Sequence, residues 1–140
     1  MPQTSSGSDK GIRFGVYIPP DLAKELDECI NKLGISSKSH LVQEALRLFL
    51  AEHRWRLSGN VVGAIGVIYN HDVGNVDEEL TDVQHKYLDI IAGAFHLHLD
   101  KENCLLIIIV KGESQRIKNL LDEIIKLKGV KSARPLLLAY

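Results

Sequence analysis

Ile12-Arg13-Phe14-Gly15-Val16-Tyr17-Ile18, closed by Pro19-Pro20, alternates strictly: Ile12, Phe14, Val16 and Ile18 on one face, Arg13, Gly15 and Tyr17 on the other. A period of two predicts a strand, and the proline pair ends it. Asp21 can then cap a helix whose apolar positions, Leu22, Leu26, Cys29, Ile30 and Leu33, keep helical spacing up to Gly34. A second helix is predicted from Ser36/Ser37 through Leu41, Val42, Ala45, Leu46, Phe49 and Leu50 towards Trp55. This unit has one strand, whose backbone groups need a partner. No second strand precedes residue 60, so the simplest partner is another copy of the chain, giving an intertwined homodimer.

Strand, Pro-Pro-Asp-Leu, amphipathic helix, Leu-Gly-Ile-Ser-Ser-Lys-Ser and second helix together resemble the ribbon-helix-helix superfamily. In that arrangement a two-stranded antiparallel ribbon enters the DNA major groove.

The composition fits a soluble globular chain. Its 140 residues carry 17 Lys+Arg against 18 Asp+Glu, a net charge of -1, with 45% apolar residues. A disordered tail, a collagen-like repeat and a membrane span are excluded; the longest apolar run, Cys104–Val110, is too short to cross a bilayer. A binder acting through bulk positive charge is disfavoured too: residues 1–56 hold 8 basic and 7 acidic residues, the remainder 9 and 11. Two cysteines 75 positions apart form no disulfide framework, and residues 1–11 lack an apolar leader core, so a cytoplasmic protein with a mobile N-terminal arm is expected.

Beyond Leu57-Ser-Gly-Asn60, taken as a linker over 57–60, the pattern changes. Val61–Tyr69 reads as a strand. A helix is predicted from about Asp77 to Ala92, burying Leu80, Val83, Tyr87, Leu88 and Ile91, with Gly93 as its end. Ala94–Leu99 and Cys104–Val110 read as strands joined by Asp100-Lys-Glu-Asn103. A helix from Glu113/Ser114 carries Ile117, Leu120, Leu121, Ile124 and Ile125 and stops at Gly129. Val130–Leu138 is a last strand, placed at an edge by Pro135. The order βαββαβ is the ferredoxin-like split βαβ of ACT-type sensing domains. The fold class is therefore α+β: a ribbon-helix-helix unit over 12–56 and a ferredoxin-like unit over 61–140.

His96 and His98 lie two apart on a predicted strand, so both rings leave one face. If the hairpin closes with Leu99 opposite Asn103, His98 stands opposite Cys104, and all three share that face. Pairing Leu99 with Cys104 instead would turn the thiol away. Two imidazoles and a thiolate suit a borderline-soft divalent ion such as nickel, copper or zinc. His85, on the preceding helix, offers a fourth donor, though spacing does not settle whether it reaches the hairpin. The plainer readings stand beside this one: an exposed polar strand face, and a cysteine acting as a small core residue.

The spacing His85-x10-His96-x-His98-x5-Cys104 is similar to the ligand pattern of the nickel-responsive transcriptional regulators, the NikR family. The likeness covers roughly residues 12–138, including Tyr69-Asn-His-Asp72, Gln84-His85, His96-Leu-His98-Leu-Asp100, Asn103-Cys104-Leu105 and Lys128-Gly-Val-Lys131. It implies one Ni(II) per subunit, held square-planar by His96, His98 and Cys104 of one subunit and His85 of another. It implies a homotetramer, a dimer of DNA-binding dimers joined through the C-terminal domains. It also implies a double-stranded DNA operator, read from the outward strand face by Arg13, Gly15 and Tyr17, with Ser37 and Lys38 near a phosphate at the start of the second helix. Family members usually carry small hydroxyl residues where this chain has Gly15 and Tyr17, so the operator sequence does not carry over. They usually have Glu and Asp where this chain has His40 and Glu44, which lie i,i+4 on one helical face and are the candidates for an accessory cation site.

The function expected is a nickel-dependent repressor. The rivals are an ACT-type small-molecule sensor fused to a DNA-binding domain, and a sensor for copper or cobalt. A metalloenzyme is not expected, because four protein donors close the coordination shell and no nucleophile–base pair stands out. No small organic cofactor and no membrane partner are expected.

Overall fold

The computed structural model describes residues 10–57 and 59–140, which leaves most of the predicted 1–11 arm and linker residue 58 outside the described residues. The chain forms two compact units that divide between Val42 and Gln43. In the first, α1 spans Pro20–Leu33. Its N-cap is Pro19, with Pro20 at the first helical position, where the missing N–H costs nothing; Asp21 lies inside the first turn rather than capping it. Gly34 ends α1 in the left-handed conformation, φ 65°, and the N–H of Ile35 reaches the Ile30 carbonyl at 3.1 Å. Helix α2 spans Lys38–His53, and the Ser37 hydroxyl oxygen accepts the His40 N–H at 3.2 Å.

The strand predicted over Ile12–Ile18 is not formed within the single chain: residues 11–19 lie in no regular element. Ile12, Phe14 and Val16 stay largely exposed, and α1 and α2 bury none of their residues. A ribbon strand has no hydrogen-bonding partner in its own chain, so one chain alone cannot build it.

The second unit continues through a 3-10 turn, Arg54–Leu57, whose Trp55 is buried in the core of that unit. There follow β1 (Asn60–Asn70), α3 (Val76–Lys86), β2 (Ile91–His98), β3 (Asn103–Glu113), α4 (Ser114–Ile125) and β4 (Val130–Ala139). The four strands form an antiparallel sheet in the order β2-β3-β1-β4, the arrangement expected of βαββαβ, with Pro135 on edge strand β4. One face of the central strands is buried through Val61, Ile65, Val67 and Tyr69 on β1 and Cys104, Leu106, Ile108 and Val110 on β3. They form one core with Val76, Leu80 and Val83 of α3 and Ile117, Leu120, Leu121 and Ile124 of α4. The other sheet face is apolar and open, with Phe95, Leu97, Leu99, Leu136 and Leu138 all at least half exposed.

Helix α3 is shorter than predicted. It stops at Lys86, and β2 begins at Ile91 rather than Ala94. The predicted core residue Leu88 is exposed, and Ile90 is buried instead. The cause is tertiary. The Ile90 carbonyl accepts the Lys111 N–H at 2.9 Å, which draws this stretch onto β3. Arg116 of α4 donates to the Lys86 carbonyl at 2.8 Å, satisfying the helix end, forms a two-pronged ion pair with Asp89, and lies over the Tyr87 ring. Tyr87 in turn donates to Glu123 at 2.7 Å. Helix α4 likewise ends at Ile125, before the predicted stop at Gly129.

Candidate metal centre

Adjacent strands bring the chemistry to one end of the sheet. Tyr69 of β1 pairs with Cys104 of β3, and Cys104 pairs with His98 of β2, so all three side chains share the helix-covered face. The Leu99 N–H meets the Asn103 carbonyl at 2.9 Å, which is the hairpin register that presents the thiol to the imidazoles. The turn is pinned by Asp100, whose carboxylate accepts the backbone N–H groups of Glu102 and Asn103, both at 2.8 Å, and the Asn103 side-chain amide.

These bonds favour the charged carboxylate and hold Asp100 down to about 2, below its ordinary value. A depressed carboxyl group lends its stability above its unfolded-state value, and that stability is lost as pH falls through the folded value. The contribution should therefore be whole near pH 5 and fade from about pH 4 towards 2. A carbon-13 titration of the Asp100 carboxyl should give its midpoint near 2; a midpoint near 4, the ordinary Asp value, would mean that the turn is not held this way.

Cys104 is fully buried, and its Sγ lies 3.4 Å from Nδ1 of His98 and 3.3 Å from Nδ1 of His71. The donor atoms of His71, His98 and Cys104 lie within 4.8 Å of one another. His96 is beside them, its ring centroid 4.8 Å from that of His98, and its Nε2 is 3.1 Å from the Tyr69 hydroxyl. Tyr69 has one proton and gives it to Asp77 at 2.8 Å, so in the second contact the His96 N–H donates to Tyr69. Burial, together with the bond to Asp77, pushes the Tyr69 hydroxyl well above its ordinary value, which keeps it neutral.

The structure thus brings two of the four predicted donors, His98 and Cys104, together with His71, while His96 stands beside them with its Nε2 on the Tyr69 hydroxyl. His85, exposed in the last turn of α3, is not among them. It lines a groove of about 380 Å³ with Thr81, Gln84, Leu88 and Ile91–Ala94. His71 was missed. It lies two positions after Tyr69, but only the β1–β3 pairing brings it to Cys104, and that pairing is not readable from local spacing.

The predicted DNA contacts Arg13, Gly15 and Tyr17 lie in the stretch before α1 that forms no regular element, with Tyr17 82% exposed. Ser37 caps α2 and Lys38 is its first residue. Of the accessory pair, Glu44 is ion-paired with Arg47 at 2.7 Å.

Residues 62–138 match the nickel-binding C-terminal domain of NikR, and residues 12–53 match the ribbon-helix-helix proteins of the CopG family. The chain belongs to the NikR family. It is 40% identical over 124 residues to a protein of Pyrococcus horikoshii named as a nickel-responsive regulator, which covers 88% of this chain and 90% of the relative. A protein of Methanocaldococcus jannaschii with the same name is 41% identical over 124 residues, 87% and 88% of the two chains. Among solved structures, the ACT domain of GTP pyrophosphokinase from Chlorobium tepidum is similar at 18% identity, with a TM-score of 0.48 over 55% of this chain and 99% of that one. As a NikR-family member the chain is a nickel-responsive DNA-binding regulator and not an enzyme. Among the described residues no helix is long and apolar enough to cross a membrane.

Proposed function

We propose that this NikR-family chain is a cytoplasmic repressor whose grip on its operator tightens when one Ni(II) per subunit is bound. The observation that carries this reading is the grouping of His96, His98 and Cys104 at one sheet end, on a domain joined to a ribbon-helix-helix unit. The donor set fits the metal: two imidazoles and a buried thiol suit Ni(II), and a fourth strong donor would complete a planar shell. His85 supplies that donor from a neighbouring subunit, so loading the site joins α3 of one subunit to the sheet of another.

A homotetramer, a dimer of dimers, is supported by two sets of exposed apolar residues. Ile12, Phe14 and Val16, with Leu46, Phe49 and Leu50, fit an intertwined pair of N-terminal units. Phe95, Leu97, Leu99, Leu136 and Leu138 fit assembly through the C-terminal sheets. In the assembled ribbon Arg13, Gly15 and Tyr17 face base edges, and Ser37 and Lys38 meet a phosphate at the α2 N-terminus. His40 and Glu44 are retained as the candidate accessory cation pair. The coupling is reciprocal, so DNA tightens metal binding by the factor with which metal tightens DNA binding.

Gel-shift titration of operator DNA with and without Ni(II) tests the switch. Nickel is expected to strengthen binding by about tenfold or more, as a coupling of 1–3 kcal/mol gives. Equal affinity in both states overturns the metal-dependent reading.

A further inference from the structure

We propose that Arg116 is a positioning residue for nickel binding: by clamping the C-terminal end of α3 it holds His85 ready for the site of a neighbouring subunit. The inference rests on the reading of His85 as the fourth donor, and Arg116 itself touches no metal. Its guanidinium grips the segment after His85 at three points. Nη2 donates to the Lys86 carbonyl at 2.8 Å, and Nη2 and Nε bracket the Asp89 carboxylate at 3.0 and 3.1 Å. The guanidinium carbon lies 4.2 Å from the centre of the Tyr87 ring. The clamp is itself anchored, because Arg116 stands in the first turn of α4 beside the fully buried Ile117. Glu123, farther along α4, accepts the Tyr87 hydroxyl at 2.7 Å and the Lys86 ammonium at 3.3 Å.

His85 is exposed in the last turn of α3, one residue before the gripped carbonyl. Helix ends leave carbonyls without N–H partners and open locally at little cost. A cation placed there satisfies the carbonyl and opposes the negative end of the helix dipole. The fork matters as well as the charge, since arginine reaches a carbonyl and a carboxylate together where a lysine ammonium is a point charge. A donor on a frayed turn has to be ordered each time it binds, and that ordering lowers affinity. The clamp therefore sets how well His85 is prepared, without any contact to the hairpin that carries His96, His98 and Cys104.

The test uses the full-length protein and a double-mutant cycle. Ni(II) affinity is measured by competition with a chromophoric chelator for wild type, Arg116→Met, His85→Ala and the double variant. Methionine keeps a long apolar side chain over Tyr87, and circular dichroism of each metal-free variant confirms its fold. Arg116→Met should weaken Ni(II) about tenfold, since losing a partner that only orients a ligand costs about 10- to 100-fold. In the His85→Ala background the same change should cost almost nothing, because the residue it acts through is gone. Hydrogen exchange of the metal-free protein reads the clamp without nickel. The amides of Gln84, His85 and Lys86 should exchange about tenfold faster in Arg116→Met while those of β3 keep their rates. An equal loss of Ni(II) affinity in both backgrounds, no loss in either, or unchanged exchange at residues 84–86 overturns the proposal. The reading of His85 fails separately, and takes the proposal with it, if His85→Ala alone keeps wild-type Ni(II) affinity.

Discussion

Cys104→Ser should abolish the near-ultraviolet thiolate-to-nickel absorption and weaken Ni(II) binding by well over a hundredfold. The reason is chemical: the thiolate is the one soft, charged donor in the set, and a hydroxyl at the same place stays protonated and neutral at working pH. Losing an outer-shell partner costs about 10- to 100-fold in affinity, so losing a direct anionic donor must cost more. The fold should survive. The serine hydroxyl takes the buried position between the His71 and His98 nitrogens, where hydrogen-bonding partners already stand at 3.3 and 3.4 Å. Operator affinity should then no longer respond to nickel. Ultraviolet titration and gel shift on the same preparation read both effects, and retained absorption in the variant would remove Cys104 from the ligand set. In wild type, Ni(II) affinity should fall as pH is lowered, because binding requires the thiol to lose its proton.

Gly63→Ala should be the most damaging conservative change in the second unit. Glycine 63 lies on β1 opposite Leu137 of β4, and a Cβ there would sit 2.0 Å from the Leu136 carbonyl oxygen. That oxygen belongs to the backbone of a paired strand, so it cannot swing aside as a flexible side chain could. Relief requires β1 and β4 to part, with the loss of ladder hydrogen bonds and of packing around Val61, Ile65 and Leu137. A cost above about 3 kcal/mol follows, the upper end of what overpacking exacts. Gly66, on the same strand, is the internal control: its nearest neighbour to an added Cβ is the Arg134 carbonyl oxygen at 3.9 Å, an ordinary contact. Urea unfolding of both variants should show a large loss of stability for Gly63→Ala and little for Gly66→Ala. Similar losses in the two would show that close strand approach is not the cause.

Both results depend on where β1 lies, and that is where sequence and structure part. Local order alone determined much of this protein. The alternation of Ile12–Ile18, the helical spacing of Leu22–Leu33 closed by Gly34, and the βαββαβ order were all readable, because each is set by contacts within a few residues. The hairpin register was readable for the same reason. Five residues, Leu99–Asn103, join His98 to Cys104, and only one closure puts thiol and imidazoles on one face. Three of the candidate ligands followed from that short segment.

Only the tertiary structure decided the rest. Helix α3 ends at Lys86 because Arg116, 30 residues on, takes its last carbonyl, and because β3 claims Ile90. His71 reaches Cys104, 33 positions away, because β1 pairs with β3, a register no local pattern specifies. His96 turns to Tyr69 for the same reason. The Ile12–Ile18 strand is not formed within the single chain, and His85 is not brought to the other donors. Period and turn length are properties of neighbours along the chain, whereas pairing partners and helix ends are settled by which distant groups satisfy each other's hydrogen bonds.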